Sequence, residues 1–240
     1  MMFRSALLAI VVAIVQPGFA RADENKSAPI RVACLGDSIT FGAKVNPATE
    51  SYPAQLQTML GAGFAVKNFG VGGATMMRRG KPNAFQQLPK AKEFQPQMVI
   101  VAFGTNDSRG RGVDYWDHIA DFVPDASALL DEILGWSSKP RVLLCLPVMH
   151  YPDLPGMTEE RKQINAERVS RMIEIRAKVK ELAERNASRG LKLVDLSVPT
   201  TGRPELYDVD GVHMKAAGYR LLAETLRPEV ENVSAELTKR

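Results

Sequence analysis

The order of apolar and amphipathic stretches predicts an α/β fold, a three-layer α/β/α sandwich around a five-stranded parallel sheet of the flavodoxin-like sort. Two observations lead there. Five short runs rich in β-branched and apolar residues recur along the chain, and helical periodicity fills the intervals between them. Such intervals are long enough for right-handed crossovers, which parallel strands require and hairpins do not.

The elements follow in order. Ile30 to Leu35 reads as the first strand, and Tyr52 to Leu60 as a helix with Leu56, Met59 and Leu60 on one face. Phe64 to Phe69 and Met98 to Phe103 are the second and third strands, Ile119 to Leu134 the next helix, and Arg141 to Leu146 the fourth strand. Glu159 to Arg189 is a long, charged helix expected to pack through Val169, Met172, Ile173, Ile175, Val179 and Leu182 and to expose its charges to solvent. Leu191 to Leu196 is the fifth strand, and a last helix follows Lys215. No repeat or linker interrupts the stretch from about Ala28 to Leu226, so one domain is expected.

The ends and the composition narrow the class. Met1 to Arg4 is short and basic, Ala6 to Val15 is uninterruptedly apolar, and Ala20-Arg21-Ala22 places small residues two apart. Residues 1–22 are therefore expected to be a signal peptide that directs export to a periplasm or the exterior, leaving a single domain over 23–240 with no membrane span. At 240 residues and 45% hydrophobic, the chain is neither disordered nor a disulfide framework. Cys34 and Cys145 fall inside separate apolar runs and read as buried hydrophobes. A net charge of +4 is too small to argue for a nucleic-acid partner.

Four short motifs carry chemistry. Gly36-Asp37-Ser38-Ile39-Thr40 puts a serine at the carboxyl edge of the first strand, although position alone favours a helix cap. Asn68-Phe69-Gly70-Val71-Gly72-Gly73-Ala74-Thr75 after the second strand lets bare backbone approach a ligand. Gly104-Thr105-Asn106-Asp107 ends the third strand in an amide able to donate two hydrogen bonds. In Asp210-Gly211-Val212-His213 the spacing lets a carboxylate turn back to an imidazole. A serine hydroxyl is a poor nucleophile until a neutral histidine takes its proton, and an acid that fixes the histidine tautomer completes that arrangement.

Together, from Val32 to Tyr219, these blocks resemble the SGNH hydrolases, the GDSL-type esterases and lipases, whose Gly-Asp-Ser, Gly, Gly-x-Asn-Asp and Asp-x-x-His blocks come in this order. The resemblance implies an SGNH hydrolase fold with Ser38 as nucleophile, His213 as base and acid, and Asp210 orienting it. It implies an oxyanion hole formed by the Ser38 and Gly73 N–H groups and the Asn106 amide, with Gly70 and Gly72 close competitors for the glycine. Ile39 stands where the family has Leu, and Met214-Lys215 where Pro-Asn is frequent, which bears on the pocket and not on the reacting groups.

Other patterns fail. No Gly-x-Ser-x-Gly surrounds a serine, the glycine stretch lacks the third glycine of a dinucleotide fingerprint, and Gly80-Lys81 runs into Pro82 rather than the Ser or Thr of a phosphate-binding loop. His118 and His150 have no spaced ligands, so neither a metal nor a cofactor is expected.

Ser51-Tyr52-Pro53-Ala54-Gln55-Leu56, the stretch Asn68 to Thr75 and Pro204-Glu205-Leu206-Tyr207 are similar to carbohydrate O-acetylesterase members, which implies a small-molecule or glycan ester as substrate. Asp37, Thr105, Arg78, Arg79 and Arg109 are the candidate substrate-binding residues. With Lys81 and Arg111, the three arginines form a set of five cations that would favour an acidic sugar if they lined the crevice, solvated loop charge being the alternative. Lysophospholipase, arylesterase, thioesterase, envelope O-acetyltransferase and an inactive carbohydrate-binding module stay open as alternatives.

Overall fold

The computed structural model describes residues 28–239. The expected signal peptide lies outside the described residues. The strands are β1 Ile30–Gly36, β2 Phe64–Asn68, β3 Met98–Ala102, β4 Arg141–Leu146 and β5 Leu191–Asp195. All four pairings are parallel, and the spatial order is β2-β1-β3-β4-β5. The expected sheet is thus present with its five strands within a residue of their expected ends.

Strand alternation sends two sets of side chains to opposite faces. Ala33, Leu35, Val99, Val101, Val142 and Leu144 pack on one side with helices α3 (Leu88–Glu93), α4 (Phe122–Leu134) and α5 (Glu159–Asn186). Val32, Cys34, Met98, Ile100, Leu143 and Cys145 face the other, under α2 (Tyr52–Leu60) and α6 (Ala216–Leu237). Both cysteines are free and buried. No helix of the described residues is long and apolar enough to cross a membrane.

Helix starts follow local chemistry. Ser51 caps α2 by accepting from the Ala54 N–H, with Pro53 in the first turn. The helix expected from Ile119 begins in its regular form only at Phe122, after a 3-10 stretch over Trp116–Asp121. Pro124 explains the shift, because its missing N–H and its ring are tolerated only in a first turn.

The α5 stripe departs from expectation at two positions, Val169, which is only half-buried, and Ile173. Met172, Ile175, Val179 and Leu182 are buried, but Ile173 is 60% exposed because it lies a hundred degrees round the helix from Met172.

A strand order of 2-1-3-4-5 makes β1 and β3 neighbours whose connections leave on opposite faces. The crevice at their carboxyl ends is where such sheets bind ligands.

Candidate active site

Ser38 and Asn106 reach that crevice from the ends of β1 and β3, and Asp210 and His213 from the loop before α6. After β1 the chain turns at once into the short helix α1 (Ser38–Phe41), with Asp37 as cap accepting from the Ile39 N–H at 2.9 Å. The turn is too tight for a side chain at Gly36, where a Cβ would fall 1.9 Å from Thr40 Oγ1 and 2.7 Å from the Ala102 carbonyl. Ser38 is the first helical residue, so its N–H is one of those a helix leaves free.

From the far end of the chain, His213 brings Nε2 to 2.8 Å from Ser38 Oγ. Its Nδ1 lies 2.7 Å from Asp210 Oδ2, while Asp210 Oδ1 accepts from the Val212 and His213 N–H groups, both at 2.9 Å. Burial alone would raise the Asp210 carboxyl, but the His213 ring and those two N–H groups hold it well below the usual carboxylate range. It is ionised and acceptor-only, so it fixes the proton on Nδ1 and turns the lone pair of Nε2 toward Ser38.

The loop bearing this pair is held from α5. Asn165, fully buried, donates to the Asp210 and Tyr151 carbonyls at 2.9 Å each. Gly211 passes so close that a Cβ would sit 2.4 Å from the Tyr151 carbonyl and 2.7 Å from Asn165 Nδ2, with φ at +67°. Only glycine fits.

The Asn106 amide lines the same crevice. Asn106 Nδ2 donates to the Ala74 carbonyl at 3.0 Å, which spends one of its two hydrogens and leaves the other. Gly73 precedes Ala74, and no acceptor takes its N–H among the described residues, whereas the Gly70 N–H is engaged by Asn68 Oδ1 at 2.9 Å. That contrast removes Gly70 as a competitor for Gly73. Asp107 ties the two loops together, its carboxylate oxygens accepting from the Met76 and Met77 N–H groups at 3.0 Å each.

A cavity of about 250 Å³ in front of Ser38 is lined by Asn106, Asp210, Val212, His213 and three arginines, Arg109, Arg161 and Arg168. Of the candidate substrate-binding residues, only Arg109 is among them. Arg78 pairs with Asp125 and lies over the Phe85 ring, and Arg79 pairs with Asp114 at 2.9 Å beside His118. Lys81 donates its backbone N–H to the Tyr115 hydroxyl, and Arg111 pairs with Glu167. Asp37 and Thr105 are structural here. Asp37 caps α1 at 1% exposure, and the Thr105 carbonyl accepts from Ser108 Oγ and Arg168.

Arg161 and Arg168 are the residues that sequence reasoning passed over. Both come from the helix read as solvated, yet Arg168 is 7% exposed and donates to Ser108 Oγ at 2.8 Å. The signal was available, since 161, 165 and 168 continue at helical spacing the stripe of 172, 175, 179 and 182. A core stripe that turns polar toward one end marks where a helix leaves the core and borders a site. His150 is a packing residue, 3% exposed and held neutral by burial, and His118 is a surface residue near Asp114.

Burial pushes the Asp37 carboxyl up from 3.8 to about 6, against the Ile39 N–H that favours its ionised form. A raised carboxyl pKa means that the native state binds more protons than the unfolded chain between those two values. The contribution of Asp37 to native stability therefore falls as pH rises from about 4 to 6, by about 3 kcal/mol. Asp37→Asn keeps an oxygen for the cap and removes the charge. In urea melts the variant is expected to gain on the native protein as pH rises through that window, and a difference independent of pH would refute the assignment.

The family model described as GDSL-like Lipase/Acylhydrolase family matches residues 34–221. An acetylxylan esterase from Xylanibacter ruminicola is 29% identical over 226 residues, covering 86% of this chain, which spans 44% of that protein's length. Among solved structures, a carbohydrate acetylesterase family member from Sinorhizobium meliloti aligns over 84% of this chain and 97% of its own, at 20% identity and a TM-score of 0.64. An aryl esterase from M. smegmatis aligns over 85% and 99%, at 21% identity and a TM-score of 0.66. At these identities the two structures speak for a shared fold.

Proposed function

The chain belongs to the GDSL-like lipase/acylhydrolase family, and from that premise we propose that it is a serine esterase that removes short acyl groups, acetyl above all, from carbohydrate hydroxyls after export. The observation that carries the reading is the hydrogen-bonded line from Asp210 through His213 to Ser38, facing the Asn106 amide.

In this reading His213 Nε2 takes the Ser38 proton as Oγ bonds to the ester carbonyl carbon. Negative charge moves to the carbonyl oxygen, which the Ser38 N–H, the Gly73 N–H and the free hydrogen of Asn106 receive. Collapse breaks the bond to the alcohol, which leaves with the proton from His213. Water, deprotonated by His213, then attacks the acyl-enzyme, and Ser38 regains its proton as the acid departs.

The cavity of about 250 Å³, polar on most sides, suits an acetyl-sized acyl group better than a long chain. The acetylxylan esterase named above is the relative that points to a sugar as the alcohol.

Acetate release from a panel of acetylated oligosaccharides tests the proposal. Release is expected from at least one member, and Asn106→Ala should lower turnover roughly 100- to 1000-fold, because one of three oxyanion donors is gone. Long-chain acyl glycerols cleaved in preference to every acetylated sugar would overturn it.

A further inference from the structure

A second cavity, of about 130 Å³, shares Arg109, Arg161 and Arg168 with the cavity before Ser38. The smaller cavity adds Arg111, Arg171 and a single carboxylate, Glu167, which is already engaged by Arg111 and lies 4.0 Å from Arg171. Asp210, the acid of the larger cavity, is engaged by His213. Among the described residues no carboxylate pairs with Arg109, Arg161 or Arg168, although the surface arginines 78, 79, 111, 185, 189, 203, 220 and 227 each have one.

The three do not have equal freedom. Arg168 is 7% exposed, and two of its nitrogens are committed, Nε to Ser108 Oγ and Nη2 to the Thr105 carbonyl, which fixes the plane of its guanidinium against the loop that carries Asn106. Nη1 is left over. Arg161 sits one turn beyond Asn165 on the same face of α5, at the exposed rim, and Arg109 enters from the loop after β3. Burial, together with the like charges of Arg109 and Arg161, lowers the Arg168 pKa to about 10, still fully protonated at neutral pH. Three cations against the one ionised carboxylate of Asp210 leave the cavity with an excess of positive charge, and an anion placed among them relieves that cost.

We propose that Arg109, Arg161 and Arg168 form a carboxylate-binding subsite next to Ser38, and that the ester cleaved here carries a carboxylate in reach of it. This rests on the esterase reading and names its substrate class. Guanidinium forks match a carboxylate in two-point hydrogen bonds, and the fixed plane of Arg168 supplies direction as well as charge. The carboxylate belongs either to the sugar, as in a uronic acid, or to the acyl group, as in a half-ester of a dicarboxylic acid. Both present the same group to the same arginines.

Three substrates separate these cases: a monoacetylated methyl glucoside, the methyl glucuronoside acetylated at the same hydroxyl, and the methyl glucoside monosuccinate. At low ionic strength one of the two carboxylate-bearing esters is expected to exceed the neutral acetate roughly 10- to 100-fold in kcat/KM, mainly through KM. The one preferred identifies the source of the carboxylate. The preference should shrink as salt is added and fall to a few-fold in the Arg109→Gln/Arg161→Gln double variant. That variant spares Arg168, whose loss would disturb the Asn106 loop. Equal kcat/KM for all three, or a preference that survives the double variant, overturns the subsite and leaves the esterase reading standing. Cleavage of none of the three, together with no release from the oligosaccharide panel, brings down both.

Discussion

Ser38→Ala is expected to lower ester turnover roughly 10^5- to 10^6-fold, down to what binding and oxyanion stabilisation supply alone. The hydroxyl has one role in the structure that the methyl cannot take, the 2.8 Å hydrogen bond with His213 Nε2. Its loss leaves the remainder of α1 as it was, because the turn is capped by Asp37 through the Ile39 N–H and not by Ser38. The variant should therefore unfold at the same temperature as the native protein within a degree or two, while releasing no acetate above background. Turnover near the native rate with the hydroxyl absent would rule out covalent catalysis at this position.

Asp210→Asn is expected to cost roughly 10^4-fold in kcat, more than the removal of an oxyanion donor, and by a different route. Asp210 Oδ1 accepts two backbone N–H groups, so the amide oxygen of asparagine will keep that place and its NH2 will take the place of Oδ2. An NH2 there donates toward His213 Nδ1, and the ring proton must move to Nε2. Nε2 then points a hydrogen at Ser38 Oγ and has no lone pair to receive one. The loop geometry survives, since the Asn165 bonds to the Asp210 and Tyr151 carbonyls involve no carboxylate. Stopped assays above and below neutrality, with the imidazole tautomer read from 15N shifts, check both halves. An unchanged tautomer, or a loss under tenfold, would contradict the role given to Asp210.

Much of this arrangement was legible in the residues, and the part that was not has a physical reason. The strands declared themselves because buried parallel strands are continuous apolar runs, as Met98 to Ala102 is. Ser38 and Asn106 stood in motifs at strand ends and Asp210 and His213 in a motif near the C-terminus, and the crevice brings them together. Helix α1 stayed invisible because four residues show no periodicity. Loop arginines were the harder case. Where Arg78 and Arg79 point is decided by Asp125 and Asp114, more than thirty residues away, and no local pattern encodes such a pairing. Arg161 and Arg168 were hidden for the opposite reason, since a helix as charged as α5 resembles one bathed in water along its whole length.

The clasp made by Asp107 has one more consequence. By holding the Met76 and Met77 amides, it sets the distance between the loop that carries Gly73 and the loop that carries Asn106. The dipoles that would meet a nascent alkoxide are thus aligned in advance, and little reorganisation energy remains to be spent when charge appears.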